Sequence, residues 1–218
     1  MRKFFCAAIA AVCMTLCLAT GCNGSVDYTD YISEKRSEIY LYKDDEIDFK
    51  IHCVSREQPY NSDGICGNMC EITEIFLICT PTPESVEIRL DGYSGEMNYG
   101  AVDRQFTASY SAPAFNSEGV DVTLTMDGKE RSFRALSVLD KGVISCEQAL
   151  KCAAEYDKEL FSGLTSHKDF AGEIYVRLLY DEGCYYYVGV CDRQKNITAY
   201  LLDGGTGKVI TSKKLSGS

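Results

Sequence analysis

Twelve cysteines, two histidines and fifteen tyrosines, with no tryptophan, are the side chains of this 218-residue chain with most chemistry to offer. Cysteine chemistry depends on spacing. Cys184 and Cys191 lie seven residues apart on one predicted strand, about 23 Å, and face opposite ways. Cys146 and Cys152 lie six apart on one predicted helix, about 9 Å along its axis. A disulfide needs Cα atoms within about 7 Å, so neither pair bridges. Cys66 and Cys70, four apart in "DGICGNMC", are close enough for a disulfide in an oxidising compartment. The remaining thiols read as small buried hydrophobes. Cys53, Cys66, Cys70 and Cys79 have the spacing C-x12-C-x3-C-x8-C, without the close pairs of a zinc ribbon. On the strand pattern Cys53 points inward and His52 outward, so the two do not ligate together easily. A Cys-based metal-binding or redox centre in this region is the competing reading. His167 sits in the loop "LTSHKDF" beside Ser166 and Asp169, and sequence neighbours do not make a catalytic triad. Neither a nucleophile elbow, a metalloprotease helix motif nor a phosphate loop is present. No catalytic residue, metal ligand or cofactor is therefore expected.

Cys22 stands apart from the other cysteines. Arg2 and Lys3 form a positive start, Phe4–Leu18 an apolar run of fifteen residues, and Ala19-Thr20-Gly21 a small-residue approach to Cys22. The apolar run is shorter than the roughly 20 residues of a membrane-spanning helix and fits a signal peptide. The pattern resembles the lipobox of bacterial lipoproteins, with Ala19 where leucine is usual. That resemblance implies cleavage after residue 21, acylation of Cys22 (a palmitate-class lipid) and attachment to the extracytoplasmic face of the cell membrane. Loss of Arg2 and Lys3 with the leader would leave 20 basic against 32 acidic residues, a formal charge of −12. Such a surface repels phosphate backbones, which argues against nucleic-acid binding.

The elements that would position these groups fall into two sets. Residues 22–37 read as a polar tether, within which Asp30 could cap a brief helix running to Glu38. From 38 to 140 the pattern has period two: Ile47, Phe49, Ile51 and Cys53 alternate with polar residues, and "EIFLICT" reads as a central strand. Val86, Ile88 and Leu90 share one face, as do Phe106, Ala108 and Tyr110. A hairpin follows with Asp127-Gly128 as its turn and Val120, Val122, Leu124 and Met126 inward. About seven short strands over about 100 residues predict an antiparallel, Ig-like β-sandwich without the Cys…Trp…Cys signature.

The texture changes near Asp140–Val143, and 141–218 reads as a small α+β module. Ser145 and Gln148 form a capping box ahead of "CEQALKCAAEYDKELFSGL", in which Ala149, Ala153, Tyr156 and Leu160 share a face. Four strands follow, joined by turns at 181–183, 192–196 and a Gly-rich loop. Ile144, Ser145 and Ala149 at the helix start, with Asp203, Thr206, Gly207 and Val209 at the closing turn, resemble the PepSY family, with one extra residue in that turn. The resemblance implies a partner that is a peptidase or another envelope protein. Within "CYYYVGVC", Tyr185 and Tyr187 share one face and Tyr186 takes the other, making Tyr185 and Tyr187 a candidate binding surface. Tyrosines also suit a sheet–helix seam with the hydroxyl wet. The fold class expected is thus β-rich, in two domains, and the function expected is binding or regulation rather than catalysis.

Overall fold

Isoleucine, tyrosine and leucine in "ISEKRSEIYLYK" build one long strand that serves two hydrophobic cores at once. This strand, β1 (Ile32–Lys43), follows a 3-10 turn (Tyr28–Tyr31) capped by Asp27, whose carboxylate accepts from the Thr29 amide. The computed structural model describes residues 26–59, 66–139, 142–167 and 169–216. The lipobox and Cys22 lie outside them. The tether expected over 22–37 gives way at Tyr28 to the turn and then to β1, and it is Asp27, not Asp30, that caps.

Ten more strands and two helices follow β1 before the last four strands. They are β2 (Ile47–Glu57), β3 (Met69–Cys79), β4 (Val86–Leu90), β5 (Tyr93–Glu96), β6 (Asn98–Gly100), β7 (Gln105–Ser111), β8 (Gly119–Met126) and β9 (Lys129–Ser137). Then come α1 (Cys146–Tyr156), α2 (Lys158–Gly163), and a two-stranded ribbon of β10 (Thr165–Ser166) and β11 (Asp169–Phe170). The chain closes with β12 (Gly172–Tyr180), β13 (Cys184–Asp192), β14 (Ile197–Asp203) and β15 (Val209–Leu215). Among the described residues no helix is long and apolar enough to cross a membrane.

Apart from that ribbon, the strands join in one largely antiparallel sheet, ordered β15-β14-β13-β12-β1-β2-β3-β7-β6, with a branch through β9, β8, β4 and β5. β1 is its pivot. Its first half pairs in parallel with β12, Glu34 to Lys43 pair antiparallel with β2, and Tyr40 and Leu41 pair with Ser137 and Leu136 of β9. A bulge between Arg36 and Glu38 shifts the register and flips the alternation. Lys35 reaches Glu147 on α1, whereas Glu38 and Tyr40, past the bulge, are buried.

Two cores result. Tyr40, Phe49, Ile51, Leu77, Ile88 and Leu124 anchor the first, between β2–β3 and the branch. Ile32, Ile39, Leu150, Val176, Val188 and Leu202 anchor the second, beneath the helices. The predicted inward sets Val86/Ile88/Leu90 and Val120/Val122/Leu124 are buried as their alternation requires, and Asp127-Gly128 makes the β8–β9 turn with both φ angles positive.

The helix is shorter than its pattern. Ser145 Oγ accepts from the Gln148 amide and Gln148 Oε1 from the Ser145 amide, so the capping box forms. Ala149, Leu150 and Ala153 are buried. Asp157 then ends α1 and caps α2, its Oδ1 accepting from the Leu160 amide and its Oδ2 from the Tyr200 hydroxyl. Tyr156 is consequently 59% exposed, and Leu160 belongs to a second helix. A side chain that satisfies the next helix start competes with continuation of the first.

Candidate functional site: an aromatic sheet face and a cleft at the bulge

Strand alternation divides the three consecutive tyrosines. Tyr186 points under α1, almost fully buried, and its hydroxyl donates to the Ile144 carbonyl at 2.6 Å. It is the seam tyrosine. Tyr185 and Tyr187 lie half-buried on the other face of β13, opposite Leu179 and Arg177 of β12 and Asp203 and Leu201 of β14. The Arg177 guanidinium carbon sits 5.6 Å from the ring centres of both Tyr175 and Tyr187, within cation–π range. Its position is fixed by Glu34 of β1, which accepts from Nε at 2.5 Å and Nη2 at 3.0 Å. That hydrogen-bonded charge raises the Arg177 pKa against the effect of burial. The helices lie on the opposite face.

At the sheet's end, β15 is exposed from Ile210 to Leu215 and has no outer strand partner among the described residues. Lys213 and Lys214 on it discourage pairing with a like edge.

On the helix side, where β1 bulges, a cleft of about 650 Å³ opens between the two cores. Its walls come from β1 (Lys35, Glu38), β2 (Cys53), β3 (Glu71) and the start of α1 (Ser145, Glu147). Glu38 is only 7% exposed; its Oε2 accepts from the Tyr40 hydroxyl at 2.8 Å and the Asn116 amide at 3.3 Å. Burial, and next the bond to Glu38, push the Tyr40 phenol up to about 12. The same burial pushes the Cys53 thiol up to about 12, with the Glu38 charge adding to it. Cys146 is likewise pushed up to about 12 by burial and then by Glu147. Both thiols stay protonated at neutral pH, the inert state for cysteine.

The other sequence candidates are dispersed. Cys53 and Cys79 sit in the first core, Cys79 with its thiol pushed up to about 11 by burial. Cys70 is on β3 opposite Arg56, and its thiol is free in this structure. Among the described residues no three His, Cys, Asp or Glu side chains gather as metal ligands. His52 packs its ring against Phe76 at 5.0 Å, and burial, then Arg36 and Lys50, push its pKa down to about 3. His167 is exposed, its Nδ1 3.0 Å from the neighbouring Ser166 hydroxyl.

The closing turn is built into the helix start. Asp203 Oδ1 accepts from both the amide and the hydroxyl of Thr206 at 2.7 Å, and the Ile144 amide donates to the Gly204 carbonyl at 2.8 Å. Gly207 has φ +70°, and a Cβ there would stand 2.6 Å from Cys152 Sγ. The motif positions at the two ends of the module are therefore in contact. No family model matches the chain, and no curated protein or solved structure matches it. Two groups escaped the sequence reading: Arg177, whose partner is 143 residues away, and Glu38, which resembled an ordinary surface acid. The faint signal for Glu38 was its place in "SEIY", one residue before the apolar run of β1.

Proposed function

We propose that this protein is a non-enzymatic binding or regulatory module, lipid-anchored through Cys22 at the extracytoplasmic face of a bacterial membrane, acting on a peptidase or another envelope protein. In this reading residues 38–140 are an Ig-like sandwich and residues 141–218 a PepSY-like module. The observation that carries the binding role is the sheet face bearing Tyr185, Tyr187 and Arg177, turned away from the helices and running to the open edge of β15. Rigid aromatic groups beside an arginine suit protein recognition, and an open edge offers main-chain hydrogen bonds to an extended segment. Thiols held protonated and a histidine held neutral support a role without nucleophilic catalysis.

Two measurements test it. Mass spectrometry of the membrane fraction is expected to find a mature chain starting at acylated Cys22, and Cys22→Ser to release it from the membrane. A photo-crosslinking residue at Tyr187 or Ser212 is expected to capture one envelope protein that the same residue at Thr123 does not. An unmodified Cys22 removes the anchor, and equal capture at all three positions removes the binding face.

A further inference from the structure

The geometry points to a second binding site: the cleft at the β1 bulge takes a cationic group, an alkylammonium or alkylguanidinium, with Glu38 as its counter-charge. The site is distinct from the aromatic face and does not rest on the role proposed for it.

Glu38 carries the inference. A carboxylate this deeply buried is ordinarily paired with a cation, yet the hydrogen bonds Glu38 accepts come from neutral donors: the Tyr40 hydroxyl and the Asn116 amide on Oε2, and the Cys53 thiol. Among the described residues no lysine, arginine or histidine makes an ion pair with it. Tyr40 and the Asn116 amide hold the carboxylate in place against the cleft without cancelling its charge. The one basic side chain in the lining, Lys35, stands 3.4 Å from Glu147. Glu71 adds a further carboxylate to the wall. The lining thus holds three acidic groups against one ammonium.

The start of α1 also faces this space, which would favour an anion. Its capping box, however, occupies the Gln148 amide, and Glu147 stands in the first turn. A volume of about 650 Å³ is in the range of small-ligand clefts. Val54 and Ile144 in the lining give a methylene stem apolar surface, as long basic side chains require. The chain's formal charge of −10 raises the local concentration of cations.

The test uses the described fold with n-butylammonium, n-butylguanidinium and, as the uncharged control, n-butanol. Amide chemical shifts of Asn116 and Gln148 report occupancy. Saturable shifts at both amides are expected with the cations and not with butanol, weakened at least tenfold in Glu38→Gln, which keeps acceptors for Tyr40 and Asn116. Ser55→Trp, at the cleft wall, is expected to abolish the shifts and serves if Glu38→Gln does not fold. Lysine amide against a lysine-containing tripeptide separates a free amine from a peptide side chain as the source, and binding of either supports the site. The proposal is overturned by absent saturation with both butyl cations, by butanol binding equally, or by undiminished binding in a folded Glu38→Gln or Ser55→Trp protein.

Discussion

Arg177 of β12 grips Glu34 of β1 with two parallel hydrogen bonds, 2.5 and 3.0 Å long, across 143 residues of sequence. Side-chain exposures of 36% and 22% place the pair between surface and interior, where the forked geometry contributes more than a mobile surface ion pair. Arg177→Met and Glu34→Gln are each expected to cost about 1–2 kcal/mol. A double-mutant cycle by urea denaturation should give a coupling near 1 kcal/mol, reduced by salt. Coupling indistinguishable from zero would reduce the fork to a surface contact.

Because β1 completes the second core, residues 142–218 alone lack Ile32, Ile39 and one flanking strand of β12. That fragment is expected to show no cooperative thermal transition by circular dichroism. Adding a peptide spanning 26–43 should restore one, with a midpoint that rises with peptide concentration. Cooperative unfolding of the bare fragment would show that β1 is dispensable to it.

Glycines in the closing turn should discriminate sharply. A Cβ at Gly204 would lie 2.5 Å from the Cys184 carbonyl oxygen, backbone that cannot swing away. Gly204→Ala is expected to cost about 2 kcal/mol or more. Gly207→Ala adds a positive φ to its contact with Cys152 and should cost about 1–3 kcal/mol. Gly163→Ala, with open space around it, should instead stabilise by about 0.4–1 kcal/mol. Melting temperatures in that order check the turn.

Stability should be level between about pH 6.5 and 9 as far as these groups are concerned. His52 titrates at about 3 when folded against 6.5 ordinarily. Its contribution is therefore present above pH 6.5 and lost as pH falls through 3. Cys53 and Cys146 rise from 9 to about 12, and Tyr40 from 10 to about 12. Their contribution is present below pH 9 and lost as pH rises through 12. His52→Phe is expected to flatten the acid limb by about one proton, or about 1.4 kcal/mol per pH unit. An unchanged slope in the variant, followed by denaturant titration from pH 3 to 7, would exclude His52 as its source.

Legibility followed the physics of each segment. Val86-Ile88-Leu90 and the Asp127-Gly128 hairpin were readable because alternation and turn chemistry are local signals. Ser145 and Gln148 were readable for the same reason. The first half of β1 was not: "SEKRSE" carries no apolar alternation, since its side chains are matched by a distant arginine and a helix glutamate, and the bulge then reverses the phase. Asp157 concealed a helix break because its competing bonds go to Leu160 and Tyr200, the latter 43 residues away. The tyrosine alternation on β13 was legible, whereas the cleft was not, being assembled from four strands, the loop at 113–116 and a helix start that only the tertiary fold brings together.

The pivot strand also sets how the molecule bears load. A pull at the amino-terminal end, such as the proposed anchor would deliver, enters through the Tyr28–Tyr31 turn and runs along β1. The bonds from β1 to β2 lie across that direction, so they must shear together, and the parallel ladder to β12 shares the strain. The same pull on an edge strand such as β15 would open its single ladder one bond at a time, like a zip. Tethering at this end therefore places tension on a strand held by three ladders at once and leaves the free edge slack.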